Sequence, residues 1–161
     1  MKWRFKYGKK KKKQKSATPK VAPVKNRTYP DKVILAWAEA VIGNKKIQDW
    51  LVSNGYEELH IFVFALHNKE DARIWLLENG FAHLMAMINC AEGNDNAFNW
   101  LENHGFETLK YVGIAGDGRK EGYLWLKRFN LDQWIHLAQN IQKVKDQLEE
   151  THNDIHSFGN D

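Results

Sequence analysis

Four features of this 161-residue chain could do chemistry by residue type and spacing. His152 and His156 stand four apart, which on a helix puts two imidazoles on one face, and Glu149 and Asp154 could add oxygen ligands. Two histidines do not complete a zinc site, and Asp154 and Gly159 disfavour a helix there, so no metal is expected. GIAGDGRKEG, residues 113–122, is glycine-rich but lacks the Gly-Lys-Ser/Thr of a phosphate loop and follows no clear strand. Cys90 is the single cysteine, which excludes an intramolecular disulfide and suits a reducing, cytoplasmic setting. A catalytic thiol needs a nearby base and an exposed position, and no local signature supplies them. The many carboxylates form no spacing that marks an acid/base pair. The chain therefore reads as non-enzymatic, with no cofactor.

The fourth feature is the basic N-terminus. Trp3, Phe5 and Tyr7 alternate with Lys2, Arg4 and Lys6, and Lys9, Lys10, Lys11, Lys12 and Lys13 follow. Cations interleaved with aromatics can neutralise phosphates while the rings stack on bases. The same pattern suits an anionic lipid interface, or a solvated arm that folds back on an acidic body. The net charge of +4 hides the split: residues 1–30 hold twelve Lys and Arg and no acid. The remaining twelve Lys and Arg face all twenty Asp and Glu in residues 31–161, an excess of eight acidic charges. Residues 1–30 are expected to be a disordered basic arm, ending in an extended linker around Pro19 and Pro23. No apolar run approaches the roughly 20 residues of a membrane span, and no apolar segment follows the first charges as in a secretory signal.

A repeat must position whatever the body does. Trp50, Trp75, Trp100 and Trp125 recur every 25 residues, each followed by a leucine: Leu51, Leu76, Leu101 and Leu126. Gly55, Gly80, Gly105 and Asn130 come five after the tryptophans. Gly43, Asn68, Gly93 and Gly118 mark a second turn, and Ala40, Ala65, Cys90 and Ala115 a small-residue position. Such self-similarity is the mark of stacked repeats. The units run 35–59, 60–84, 85–109 and 110–134, each as two short helices. Ile47, Trp50 and Leu51 fall at i, i+3 and i+4 on one helix, and Trp37, Ala40 and Val41 do so on the other. Asn44, Asn68 and Asp95 are the expected N-caps of the second helices, and Gly55, Gly80 and Gly105 the C′ residues. HIFVF, residues 60–64, follows this register as helix. The fold predicted is all-α: a right-handed αα-solenoid of about four 25-residue helix pairs over residues 31–151, with residues 131–151 as a C-terminal capping helix and 152–161 as a flexible tail.

FALHNKEDARIWLLENGF (64–81), AVIGNKKIQDWLVSNGY (40–56) and NCAEGNDNAFNWLENHGF (89–106) resemble the two helices of an ankyrin repeat. The shared features are a small residue in the first helix, a Gly or Asn turn, an apolar-Leu pair and a closing Gly. The TPLH-type start is absent, and a period of 25 leaves no room for the family's β-hairpin finger. The resemblance implies a protein-binding scaffold without chemistry of its own.

Comparison among the units suggests where a partner or peptide would sit. On the first helix of each unit the third and sixth positions stay apolar or small, whereas the first, fifth and eighth differ from unit to unit. Those positions share one helical face. They give a candidate protein-binding face of Glu39, Ile42, His60, Phe64, His67, Asn89, Glu92, Lys110 and Asp117.

Overall fold

The computed structural model describes residues 18–157, with side chains to residue 153. The described residues form nine helices and no strand: α1 (Asp31–Val41), α2 (Lys45–Ser53), α3 (Glu57–Leu66), α4 (Glu70–Glu78), α5 (Ala82–Ala91), α6 (Asp95–Asn103), α7 (Glu107–Gly116), α8 (Lys120–Arg128) and α9 (Asp132–Ser157). The even-numbered helices begin at Lys45, Glu70, Asp95 and Lys120, twenty-five residues apart, in step with the tryptophans. HIFVF lies wholly inside α3.

One leucine column fastens each pair. Leu51, Leu76, Leu101 and Leu126 are fully buried. Their carbonyls also accept the backbone N–H of Tyr56, Phe81, Phe106 and Leu131 at 2.8–3.0 Å, the closing bond of a Schellman-type helix end. That closure needs a left-handed residue just before the donating N–H, supplied by Gly55, Gly80, Gly105 and, at φ 54°, Asn130. The three glycine-containing ends stack a tryptophan on the next aromatic: Trp50 on Tyr56, Trp75 on Phe81 and Trp100 on Phe106. Asn44 and Asn94 cap α2 and α6 through their side chains. The expected caps are thus corrected in two places. Asp95 is the first helical residue, because Asn94 already accepts from Ala97 N–H. Asn68 takes a left-handed φ of 61° in the turn before α4, so its side chain does not reach that helix's first N–H groups.

The helices form two layers. α2, α4, α6 and α8 bury little more than a leucine and a small residue each, such as Ala72 and Leu76. Helices α3, α5 and α7 are buried nearly all round; in α5 only Asn89 is not. A helix apolar on every side belongs at the centre of a domain. Trp37, Phe62, Leu84, Met87 and Ile114 fill the space between them.

Helix α9 does more than the sequence predicts of a cap. It packs against both α7 and α1, and its pairing with α1 is the most extensive in the molecule. The two ends of the chain of helices therefore meet, instead of each being shielded separately. Leu137, Ala138, Ile141 and Val144 carry this contact as one buried stripe. The helix also continues to Ser157, past the expected end at 151, so His152 and His156 do share a helix.

The glycine-rich stretch 113–122 comprises the end of α7, a turn at residues 117–119 and the start of α8, and its helical glycines serve packing. A Cβ on Gly113 would meet the Cys90 Sγ at 2.7 Å, and one on Gly116 would meet Ile141 at 2.9 Å. Glycine here lets α7 approach α5 and α9 closely. Residues 18–30 have no regular secondary structure, but they are tied to the domain. Ala22 N–H donates to Leu77 O at 2.9 Å and Lys25 N–H to Gly80 O at 2.8 Å. Arg27 and Tyr29 both donate to Glu58 Oε1, at 2.7 and 2.8 Å.

Candidate functional site

The face inferred from the repeat divides in the structure. Leu35 and Ile42, at positions one and eight of the first unit, are 45% exposed. Glu39 between them is half-buried, and its carboxylate lies 3.2 Å from His136 Nε2 of α9. On α3, His60 is half-buried with its ring 5.0 Å from that of Phe64, which is 36% exposed. Burial holds the His60 imidazole below its usual range, against the pull of the Asp49 carboxylate. His67 caps α3, its Nδ1 2.8 Å from Val63 O.

Further along, the face closes. Asn89 is half-buried in a groove with Asn94 and Trp100. Glu92 pairs with Arg73 of α4. Lys110 leaves the face altogether: it is buried, its ammonium 3.0 Å from Glu102 and over the Phe98 ring at 4.3 Å. Asp117 is drawn to Lys145 of α9 and to Arg119, at 3.4 and 3.5 Å. Glu102 and Phe98 of α6 take up Lys110, and Lys145 of α9 takes up Asp117, so the fourth unit's variable positions become packing positions. The open part of the face is that of α1 and α3. Lys2, Trp3, Arg4, Phe5, Lys6, Tyr7 and Lys9 to Lys13 lie outside the described residues.

Cys90 is buried, with its thiol 3.6 Å from Lys110 O, and burial pushes it up to about 11. It is held as the protonated thiol at neutral pH, which makes it a poor nucleophile. Among the described residues, no three His, Cys, Asp or Glu side chains come together as a metal site. No helix among them is long and apolar enough to cross a membrane.

A different place gathers polar groups. The N-terminal ends of α1, α5, α7 and α9, with residues 26–29 beside them, enclose a cleft of about 630 Å³. Its walls include Tyr29, Phe106 and Trp134, and His83 stands among them. His83 is 2% exposed, stacked on Phe106 at 4.8 Å and 12°, and its Nδ1 has no hydrogen-bond partner. Burial lowers its imidazole to about 4, so it is neutral at pH 7. The repeat held a signal for this place. Glu58, His83, Thr108 and Gln133 are spaced by 25 and all polar, each one position before the column of Leu59, Leu84, Leu109 and Trp134.

Compared with known proteins, the chain matches no protein-family model, no curated protein and no solved structure.

Proposed function

We propose that this chain is a non-enzymatic protein-binding module of the cytoplasm whose partner, a protein or peptide, seats on the open surface of α1 and α3. The helix pairs are read as four 25-residue units of a right-handed αα-solenoid, with an ankyrin-like character confined to their helices. The observation that carries the reading is the exposure of Leu35 and Ile42, two large aliphatics on one face of α1 flanking Glu39. Large apolar side chains left in water beside a charged group suit the centre and rim of an interface. A variant with Leu35→Asp and Ile42→Asp tests it without touching the core. Affinity capture with the full chain should recover a nuclease-resistant protein that the variant loses while keeping its thermal unfolding. Equal recovery by both would end the proposal.

A second reading rests on the twelve cations and no acids of residues 1–30. A nucleic-acid-associated adaptor would bind through this arm, since the acidic body repels phosphate. With about six cations engaged, the slope of log K against log salt for duplex DNA would be about −5. Removing residues 1–17 should abolish binding and leave the fold intact. Equal affinity with and without them would exclude this reading.

A further inference from the structure

Helix α8 presents a face unlike that of the other even-numbered helices. Lys120, Leu124, Lys127 and Arg128 fall at i, i+4, i+7 and i+8 on one side of it, with Gly122 and Leu126 buried on the other. Leu124 is 65% exposed, more than any other large apolar side chain among the described residues. Asp49, Ile74 and Asn99 hold its place in the other units. Phe129 ends the helix, 53% exposed, its ring 4.6 Å from that of Trp125 and 5.9 Å from the Arg128 guanidinium. The residues at its place elsewhere are Asn54, Asn79 and His104. Each turns its side chain back onto its own helix, to the carbonyl of Trp50, Trp75 or Trp100 at 2.7–2.8 Å. The fourth unit therefore gives up a helix-capping bond for a ring half in water. An exchange that breaks a local rule and leaves apolar surface exposed points to a functional surface.

The charge of this face selects its occupant. Where the fourth unit has Lys127 and Arg128, the others carry Val52, Leu77 and Glu102, and Ser53, Glu78 and Asn103. Among the described residues, no carboxylate pairs with Lys120, Lys127 or Arg128. Glu121, the one acid of α8, lies 3.5 Å from Arg119 instead. Three cations without an ion-pair partner among these residues thus stand on a body with an excess of eight acidic charges. The basic arm cannot neutralise them, since residues 1–30 contain no acid. Single-stranded nucleic acid is disfavoured: Leu124 offers no ring to a base, and the Trp125 ring is taken up by Tyr111, at 4.3 Å and 11°, and by Phe129. The acidic body also repels a phosphate-rich strand or bilayer. What fits is a chain that buries apolar side chains on Leu124 and Phe129 and sets carboxylates against Lys120, Lys127 and Arg128. We propose that α8 is a second docking surface, separate from that of α1 and α3, and that it takes an acidic segment of another protein carrying apolar anchors.

The probe is a synthetic peptide of about 18 residues, long enough to form a helix, with leucine and phenylalanine on one face and glutamate elsewhere. Two controls replace every glutamate by glutamine or by lysine. Because the basic arm attracts any polyanion, binding to the full chain is read at α8 itself, from the Leu124 methyl signals and the amide signals of residues 120–129 in NMR. The acidic peptide should shift these signals saturably, and less so as salt is raised. The glutamine peptide should bind at least about tenfold more weakly, and the lysine peptide should leave the signals unmoved. Leu124→Asp, and separately Lys127→Glu with Arg128→Glu, should weaken binding by about tenfold or more at unchanged Tm, because these side chains lie outside the core. Phe129→Asn should weaken it severalfold and keep Tm within about 2 °C, since the amide can cap the Trp125 carbonyl as Asn54 and Asn79 cap theirs. Leu35→Asp with Ile42→Asp should bind the peptide as wild type does, which separates failure here from failure of the α1 and α3 surface. The proposal falls if the acidic peptide leaves α8 unmoved, if the glutamine peptide binds as well, or if the α8 variants bind as wild type. It falls equally if single-stranded DNA or anionic vesicles bind these residues more tightly, or if the chain alone forms a dimer that Leu124→Asp dissolves, for the occupant is then a polyanion or a second copy.

Discussion

Asn140 of α9 donates its side-chain N–H to the Ala38 carbonyl of α1 at 2.8 Å, joining helices that lie 102 residues apart in sequence. Both residues are buried, so the bond is shielded from water at the place where the end of the fold meets its beginning. Asn140→Leu removes it and puts a branched apolar side chain where the amide was. The expected loss is about 1 kcal/mol, read as a lower urea midpoint with an unchanged m-value. A midpoint equal to wild type would show that the bond contributes nothing to closure.

At Gly113, α7 packs tightly on α5. A methyl there meets both the Cβ and Sγ of Cys90 at 2.7 Å and Met87 O at 3.1 Å. Gly113→Ala should destabilise by about 1–3 kcal/mol through overpacking, despite the better helix propensity of alanine. Cys90→Gly removes two of the three atoms in the way, and the double variant should lose less than the sum of the singles. Strict additivity in thermal or urea unfolding would contradict this contact.

Glu58 is 2% exposed and holds the segment before α1 through Arg27 and Tyr29. Burial and this carboxylate together push the Tyr29 phenol far above its usual range. Glu58→Ala orphans the Tyr29 hydroxyl and frees a guanidinium that is partly exposed already. A cost of about 2 kcal/mol is expected, discounted for that exposure. Trypsin should then cut after Lys25 and Arg27 faster than in the wild type, with the helical core left intact. Unchanged cleavage kinetics would show that Glu58 does not tether the segment.

His83 makes stability depend on pH in a defined window. Its imidazole is lowered by burial to about 4, so the folded state keeps it neutral while the unfolded chain takes up a proton below about 6.5. The contribution is fully present above 6.5 and is lost as pH falls toward 4, to a total of roughly 3 kcal/mol. The carboxylates of Asp31 and Glu107 line the same cleft. The difference between wild type and His83→Leu isolates the histidine. That difference should grow as pH falls, with the variant the more acid-resistant; parallel stability curves would contradict it.

What the sequence determined by itself is local. The spacing of Trp, Leu and Gly sets where each short helix begins and ends, because those residues act within one turn of themselves: Leu76 accepts the closing bond of its own helix, and Gly80 supplies the left-handed residue that the bond needs. The helical state of HIFVF followed from the same register, since residues 60–64 stand 25 after residues 35–39 of the first unit's helix. Leu137, Ala138, Ile141 and Val144 fall on one helical face by their spacing, but the spacing does not name the neighbours that bury them, and Leu148 further along stays exposed. That α9 would lie on α1 as well as α7 was decided by tertiary packing, through contacts such as Asn140 with Ala38 that no local pattern encodes. Packing against α6 removed Lys110 from the face on which periodicity placed it: a helical face says which residues point together, not whether another helix will cover them. His83 shows the limit most clearly. Its type and register position were on view in the chain, but its enclosure without a partner depends on four helix ends that come together only in the folded molecule.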